Sequence, residues 1–218
     1  GGMDSSVRVE LPADGAYLVQ VYDHLRRGGE DFAYRIEATP IAPEFNLSLL
    51  DNDHVRVAVP QGNRAFVMAG VSRREFDGPI AIDFPGLPEG VTFETWPIPA
   101  GQTQAPVLLS AAADAPLAGT LAQMTGRWDE EGREVSGALQ QNVKLVNYRN
   151  NTTFFGRDVD RMATAVTVAA PFKLSVDPPP VPVVHGGAMQ LTVRAERDEN
   201  FSAPIDLHVP WLPNKIGA

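Results

Sequence analysis

Phe76-Asp77-Gly78-Pro79-Ile80-Ala81-Ile82-Asp83-Phe84-Pro85-Gly86-Leu87-Pro88-Glu89-Gly90-Val91 reads as one strand, an exit turn and the opening of the next strand. Ile80, Ile82 and Phe84 recur at period two, the mark of a strand with one buried face, and Asp77-Gly78 supplies the turn before it. The chain writes the phrase again as Phe201-Ser202-Ala203-Pro204-Ile205-Asp206-Leu207-His208-Val209-Pro210-Trp211-Leu212-Pro213. Phe76 maps to Phe201, Pro79 to Pro204, Pro85 to Pro210 and Leu87-Pro88 to Leu212-Pro213, all at an offset of 125 (201 − 76). A repeat of that length is one domain-sized unit, so the sequence predicts similar modules in series.

Working outward, the same grammar continues. Phe45-Asn46-Leu47-Ser48-Leu49 precedes an alternating Val55, Val57, Val59 that Pro60 ends, and Gln61-Gly62-Asn63 turns into residues 64–72. Downstream come strands at 91–95, 107–110 and 120–128, with a polar corner over 97–102 and a hairpin tip at 129–132. Residues 137–160 are amide-rich and read as a long excursion with one strand, Val143 to Val146, before a β-branched strand over 162–169. Seven or eight strands with regular turns over residues 43–170 are the signature of one complete antiparallel sandwich. At Pro171 the module restarts: Phe172-Lys173-Leu174-Ser175-Val176 repeats residues 45–49, Gly186-Gly187 repeats Gln61-Gly62, and Met189 to Ala195 repeats Arg64 to Gly70. Residues 171–218 thus read as the first half of a second copy. Ahead of the stiff linker Thr39-Pro40-Ile41-Ala42-Pro43, three strands are expected: Val7, Val9 and Leu11; then Tyr17, Val19 and Val21; then Phe32, Tyr34 and Ile36. The expected class is all-β, tandem antiparallel β-sandwiches.

The phrases Phe76 to Ile80, Gly86 to Val91, and Ile98-Pro99-Ala100-Gly101-Gln102-Thr103 through Ala111 to Pro116 resemble immunoglobulin-like modules of very large exported bacterial proteins. Gly15 to Val21 and Tyr34 to Glu37 are similar to the closing strands of bacterial pre-peptidase C-terminal domains, which are jelly rolls. The resemblance implies a partial jelly roll at 1–42, a complete immunoglobulin-like sandwich at 43–170 and a partial one at 171–218. It implies a non-catalytic spacer or interaction segment that is extracellular, cell-surface or periplasmic, with neighbouring modules of the same polypeptide as partners. The leading Gly1-Gly2-Met3 reads as an expression scar on a piece of something longer. A carbohydrate- or protein-binding module is the alternative function.

Composition narrows the chemistry. The 44% apolar and 21% charged content is that of an ordinary globular chain. A net charge of −9 with scattered acids argues against nucleic acid and anionic lipid surfaces, which need clustered Lys and Arg. With no cysteine there is neither disulfide nor thiolate chemistry, and no run approaches the roughly 18 apolar residues of a membrane helix.

The four histidines, His24, His54, His185 and His208, lack metal-ligand spacing, and no nucleophile elbow or phosphate-cradling loop is present. Glu30-Asp31, Asp51 with Asp53, and Glu130-Glu131 fall in turns, where carboxylates are well solvated and lack the apolar pocket that general acid catalysis needs. No catalytic set is expected. Asp51-Asn52-Asp53 offers oxygen ligands that a calcium ion would accept, although the full loop spacing is missing. Trp96 and Trp128, with Trp211, Phe154 and Phe155, are the candidates for a sugar-stacking platform; core packing is the competing use of those rings.

Three packing expectations follow from the repeat. Phe66, Met68 and Gly70 with Ile80, Ile82 and Phe84 are expected to be inward sets, as are Leu191, Val193 and Ala195 with Ile205, Leu207 and Val209. Ala65, Val67, Ala69 and Val71 would then form an apolar outer face, covered by residues 7–39 or 137–160. The two incomplete ends are expected to pack on the central sandwich or to complete one another, within a chain or in a strand-exchanged homodimer.

Overall fold

The computed structural model of the chain describes residues 7–50, 54–130, 132–147, 153–179, 181–182, 186–209 and 211–212. It divides into two units, Gly1–Pro40 and Ile41–Ala218. In the first, no strand forms among the described residues. Val7, Val9, Tyr17, Val19, Tyr34 and Ile36 stay exposed, and the order is local: Asp23 accepts the Leu25 N–H at 2.9 Å and the Arg27 Nε–H at 3.1 Å. The three strands expected over 7–39 are therefore corrected. Alternation marks a segment able to lie in a sheet, but a ladder is stable only when one face is covered, and among the described residues this unit adds none to the core cluster.

The second unit is all-β. Its strands are β1 (Glu44–Leu50), β2 (Arg56–Pro60), β3 (Arg64–Arg74), β4 (Ala81–Asp83), β5 (Val91–Thr95), β6 (Gln104–Ala111), β7 (Gly119–Ala122) and β8 (Thr125–Glu130). β9 (Arg133–Ala138), β10 (Gln141–Asn147), β11 (Thr153–Val159), β12 (Met162–Thr167), β13 (Phe172–Val176) and β14 (Val193–Arg197) follow. One antiparallel sheet runs β1-β3-β6-β5. Its inner face meets two three-stranded sheets: the antiparallel β4-β8-β9, and β2-β12-β7, in which β2 and β12 are parallel. One apolar cluster fills the space between, drawing Leu47 and Leu49 from β1, Val107 and Leu109 from β6, Ile82 from β4 and Met162 and Val166 from β12. The expected sandwich class is the fold adopted.

The crossing between sheets has a local cause. Thr92 and Glu94 lie opposite Ser110 and Leu108 in the β5-β6 ladder. The next position on β6 that faces β5 is Pro106, which has no N–H to give. The Thr95 hydroxyl takes the Pro106 carbonyl at 3.0 Å instead, and the chain peels away. Two residues on, Ile98 exchanges both main-chain bonds with Ile80, at 2.9 and 2.8 Å, joining the β5 exit to the start of β4 in the opposite sheet.

The inward face of β3 is the reverse of the one expected. Val67, Ala69 and Val71 are buried in the core; of the set expected inward, Met68 and Gly70 are buried outside that cluster and Phe66 is 48% exposed. Register explains it: Val71 and Ala69 lie opposite Leu47 and Leu49 on one side, and Val67 and Ala69 opposite Val107 and Ala105 on the other. Period two divides a strand into two faces, and here both were apolar enough to be the inner one. The apolar row read as an outer face is covered by the opposing sheets. On the true outer face, Leu50 and Ser48 close over Gly70, and Met68 pairs with Leu50. Ile80, Ile82 and Phe84 are buried, as expected.

Residues 137–160 hold more structure than one strand. β10 and β11 form an antiparallel ribbon with Phe154, Phe155 and Leu145 exposed. Of its described residues only Val143 and, in part, Val159 pack on the core, so most of the ribbon carries no buried alternation to read. In the second copy, β13 and β14 pair antiparallel, but Leu191, Val193, Leu207 and Val209 are exposed rather than buried. No opposing sheet reaches them among the described residues, and the tie to the sandwich is at the junction, where the Asn63 amide donates to the Phe172 carbonyl at 2.9 Å.

Phe45 is seated by a paired gap. Gly126 and Gly137 are directly opposed in the β8-β9 ladder, and a Cβ on either would lie 2.8 and 2.7 Å from the Phe45 ring. Gly137→Ala is expected to lower stability by about 1–3 kcal/mol, the cost of overpacking, seen as a lower urea midpoint at unchanged slope. The Phe45 carbonyl oxygen lies closer still to a Cβ on Gly137, so an unchanged midpoint would show that the β1 main chain and the ring both yield freely.

Candidate functional site

Trp128 projects inward from β8 and is only 3% exposed. Its ring lies 4.7 Å from that of Phe76, which lies 5.9 Å from that of Phe45, so three aromatic groups form one spine through the core. The Arg133 guanidinium sits 5.6 Å above the indole. The sugar-platform expectation for Trp128 is therefore corrected: a ring enclosed on both faces cannot stack on a ligand. The indole Nε1, like the Ser110 and Thr164 hydroxyls, is buried without a hydrogen-bond partner among the described residues. Phe154 and Phe155 are exposed on the ribbon, and Trp211 is half-buried.

Trp96 is the opposite case, 75% exposed just after β5. It borders a slot of about 450 Å³ whose other walls include Ala81 and Ile82 of β4 and Phe93 and Glu94 of β5. Phe84 and Phe93, with rings 5.3 Å apart, tie the two sheets beside it. A broader, shallow hollow of about 750 Å³ lies along β2, β12 and β7, where Ala58, Gly119, Ala163 and Ala165 present small residues.

Arg73, at the end of β3, holds the corner of the module together. Its Nε donates to the Gly78 carbonyl at 3.0 Å, Nη2 to those of Ile98 and Pro99 at 3.0 Å each, and Nη1 to that of Gln102. Asp77 accepts the Gly101 N–H at 2.7 Å alongside. Partial burial pulls the Arg73 pKa down, with Asp77 opposing the shift; the group stays charged and its donors are matched to carbonyls. Arg73→Met keeps the stem and removes the side-chain donor from all four carbonyls, of which those of Ile98 and Pro99 keep a main-chain partner. An expected loss of about 2 kcal/mol, in the range of charged hydrogen bonds, should appear in thermal or urea unfolding; a loss no larger than that of an exposed arginine would show the clasp to be idle.

A smaller arrangement of the same kind occurs over residues 172–203. Phe172 lies opposite Arg197 as Phe45 lies opposite Arg73. Phe172 packs on Phe201 at 5.5 Å, and Arg197 Nη1 donates to the Ala203 carbonyl at 2.6 Å. Sequence reading missed Arg73, although an arginine recurs near the same place in both copies.

The remaining candidates do not converge. Asp51, Asp53, His185 and Glu131 lie outside the described residues, and with the first two the calcium expectation. His24, His54, His208, Glu30, Asp31 and Glu130 are exposed, and no group of three or more His, Asp or Glu side chains with metal-holding geometry occurs among the described residues. The other shifted groups are surface ion pairs: hydrogen bonding to Arg27 holds Asp23 below its usual range, Asp129 raises Arg127, and Asp177 raises Arg194. No family model matches the chain, and no curated protein or solved structure is found to be similar to it.

Proposed function

We propose that residues 43–170 are a non-catalytic structural module, one of a series in a large exported or cell-surface bacterial protein. The observation that carries this reading is a corner written twice: Phe45 lies opposite Arg73 and packs on Phe76, Phe172 lies opposite Arg197 and packs on Phe201, and each arginine donates to the carbonyl two residues past that second phenylalanine. A polypeptide that writes one clasp twice at domain spacing is built to place similar bodies in line. The immunoglobulin-like and jelly-roll assignments rest on the sequence resemblance and belong to the same proposal. Neighbouring modules are the natural partners of the exposed Leu174, Leu191, Val193, Leu207 and Val209, with a strand-exchanged homodimer as the competing arrangement. Limited proteolysis is the test. A resistant fragment with ends near Pro40 and Pro171 is expected, whereas cleavage inside β1–β12 at comparable rate would overturn the module. Static light scattering of a strict monomer at high concentration would eliminate the exchanged dimer.

A binding role is the second reading, favoured by one observation, the exposed Trp96 beside its slot.

A further inference from the structure

The ladder between β4 and the β5 exit begins and then stops. After the Ile80–Ile98 pair, the next hydrogen-bonded pair of an antiparallel ladder would be Ile82 with Trp96, and that pair is not made. β4 is bonded to β8 on its other side and β5 to β6, so each presents a free edge to the slot.

Antiparallel alternation decides which groups face it. Ile80 points toward Ile98, so Ala81 and Asp83 serve β8 and Ile82 turns its N–H and C=O into the slot. Across the slot, Ala111 donates to Asn63 on the β3 side, so Ser110 and Leu108 serve Thr92 and Glu94. That leaves the N–H and C=O groups of Phe93 and Thr95 directed at the slot. Two strand edges thus confront one another with open donors and acceptors. The walls between them include the apolar Ile82 and Phe93, with exposed Trp96 and the slot's one charged residue, Glu94, alongside.

We propose that this slot takes an extended peptide segment bearing a basic side chain, added as a strand between β4 and β5. Main-chain bonds to Ile82, Phe93 and Thr95 would hold it, the mode of recognition that adds a strand to a free edge. A lysine or arginine stem would lie along the Trp96 ring with its cation toward Glu94. The net charge of −9 favours the same partner. A saccharide would also stack on Trp96, but it would leave two facing rows of strand donors and acceptors without matched partners.

Selection of a displayed random dodecapeptide library on the full chain tests the proposal, followed by amide chemical-shift mapping with a selected synthetic peptide. Enriched peptides should carry Lys or Arg, shift the amides of Ile82, Phe93 and Thr95, and lose about tenfold or more in affinity on Trp96→Ala or Glu94→Lys, as a hot-spot contact would. Both side chains are exposed, so the variants should keep the wild-type circular dichroism and melting temperature, and this is checked first. Methylating the peptide's main-chain nitrogens should abolish binding if the edge bonds hold it. The proposal fails if no peptide is enriched, if shifts map elsewhere, or if oligosaccharides shift the slot amides and peptides do not.

Discussion

Gly78→Ala should be among the most damaging single-methyl substitutions in the molecule. A Cβ on Gly78 would fall inside the Trp128 indole, overlapping Nε1 and Cδ1 and lying 2.7 Å from Cε2. Neither side has room to yield. The Gly78 carbonyl is held by Arg73 at 3.0 Å, and the indole is packed on Phe76 and buried. The backbone itself does not demand glycine: Gly78 is not in the left-handed region, and the position 125 residues on is Ala203, whose carbonyl also accepts an arginine bond. The whole cost is therefore steric, about 3 kcal/mol or more, at the upper end for overpacking. Urea unfolding of Gly78→Ala, Trp128→Phe and the double variant checks this. The smaller ring should restore part of the stability lost by Gly78→Ala, a coupling of the kind shown by residues in contact. Strict additivity would mean the damage lies in the turn and not against the indole.

Trp128→Ala is expected to cost about 3–5 kcal/mol, the range for emptying a large aromatic site in a core. That is a sizeable share of the 5–15 kcal/mol typical of a whole domain. The loss should be spread through the spine, because Phe76 stands between the indole and Phe45, and removing the indole leaves Phe76 unsupported on one face. Calorimetry should show a melt lowered by many degrees with retained cooperativity, and near-ultraviolet dichroism should lose its aromatic signal. A variant melting within a degree or two of wild type would refute the spine. Trp96→Ala supplies the contrast: an exposed ring, and a change expected within about 0.5 kcal/mol of neutral.

Much of the architecture was legible in the order of residues. Alternating apolar positions at Phe45-Leu47-Leu49 and Ile80-Ile82-Phe84, punctuated by Gly and Pro, specify short strands and turns, because a strand's side chains alternate whatever it packs against. The repeat of Phe76 to Pro88 at residues 201–213 was visible for the same local reason.

The tertiary structure alone decided which face of β3 turns inward, since Phe66 and Val67 are equally plausible core residues until β1 and β6 set the register. It alone separated Trp96 from Trp128, two identical residue types of which one is exposed and the other enclosed, because burial is a property of what arrives from elsewhere in the chain. The same holds for Val7 to Ile36 and for Leu191 to Val209, where strand-like alternation finds no facing layer among the described residues. A pattern of period two states that a segment can present one apolar face. Whether that face is buried depends on a second surface far away in sequence, and no local pattern carries that information.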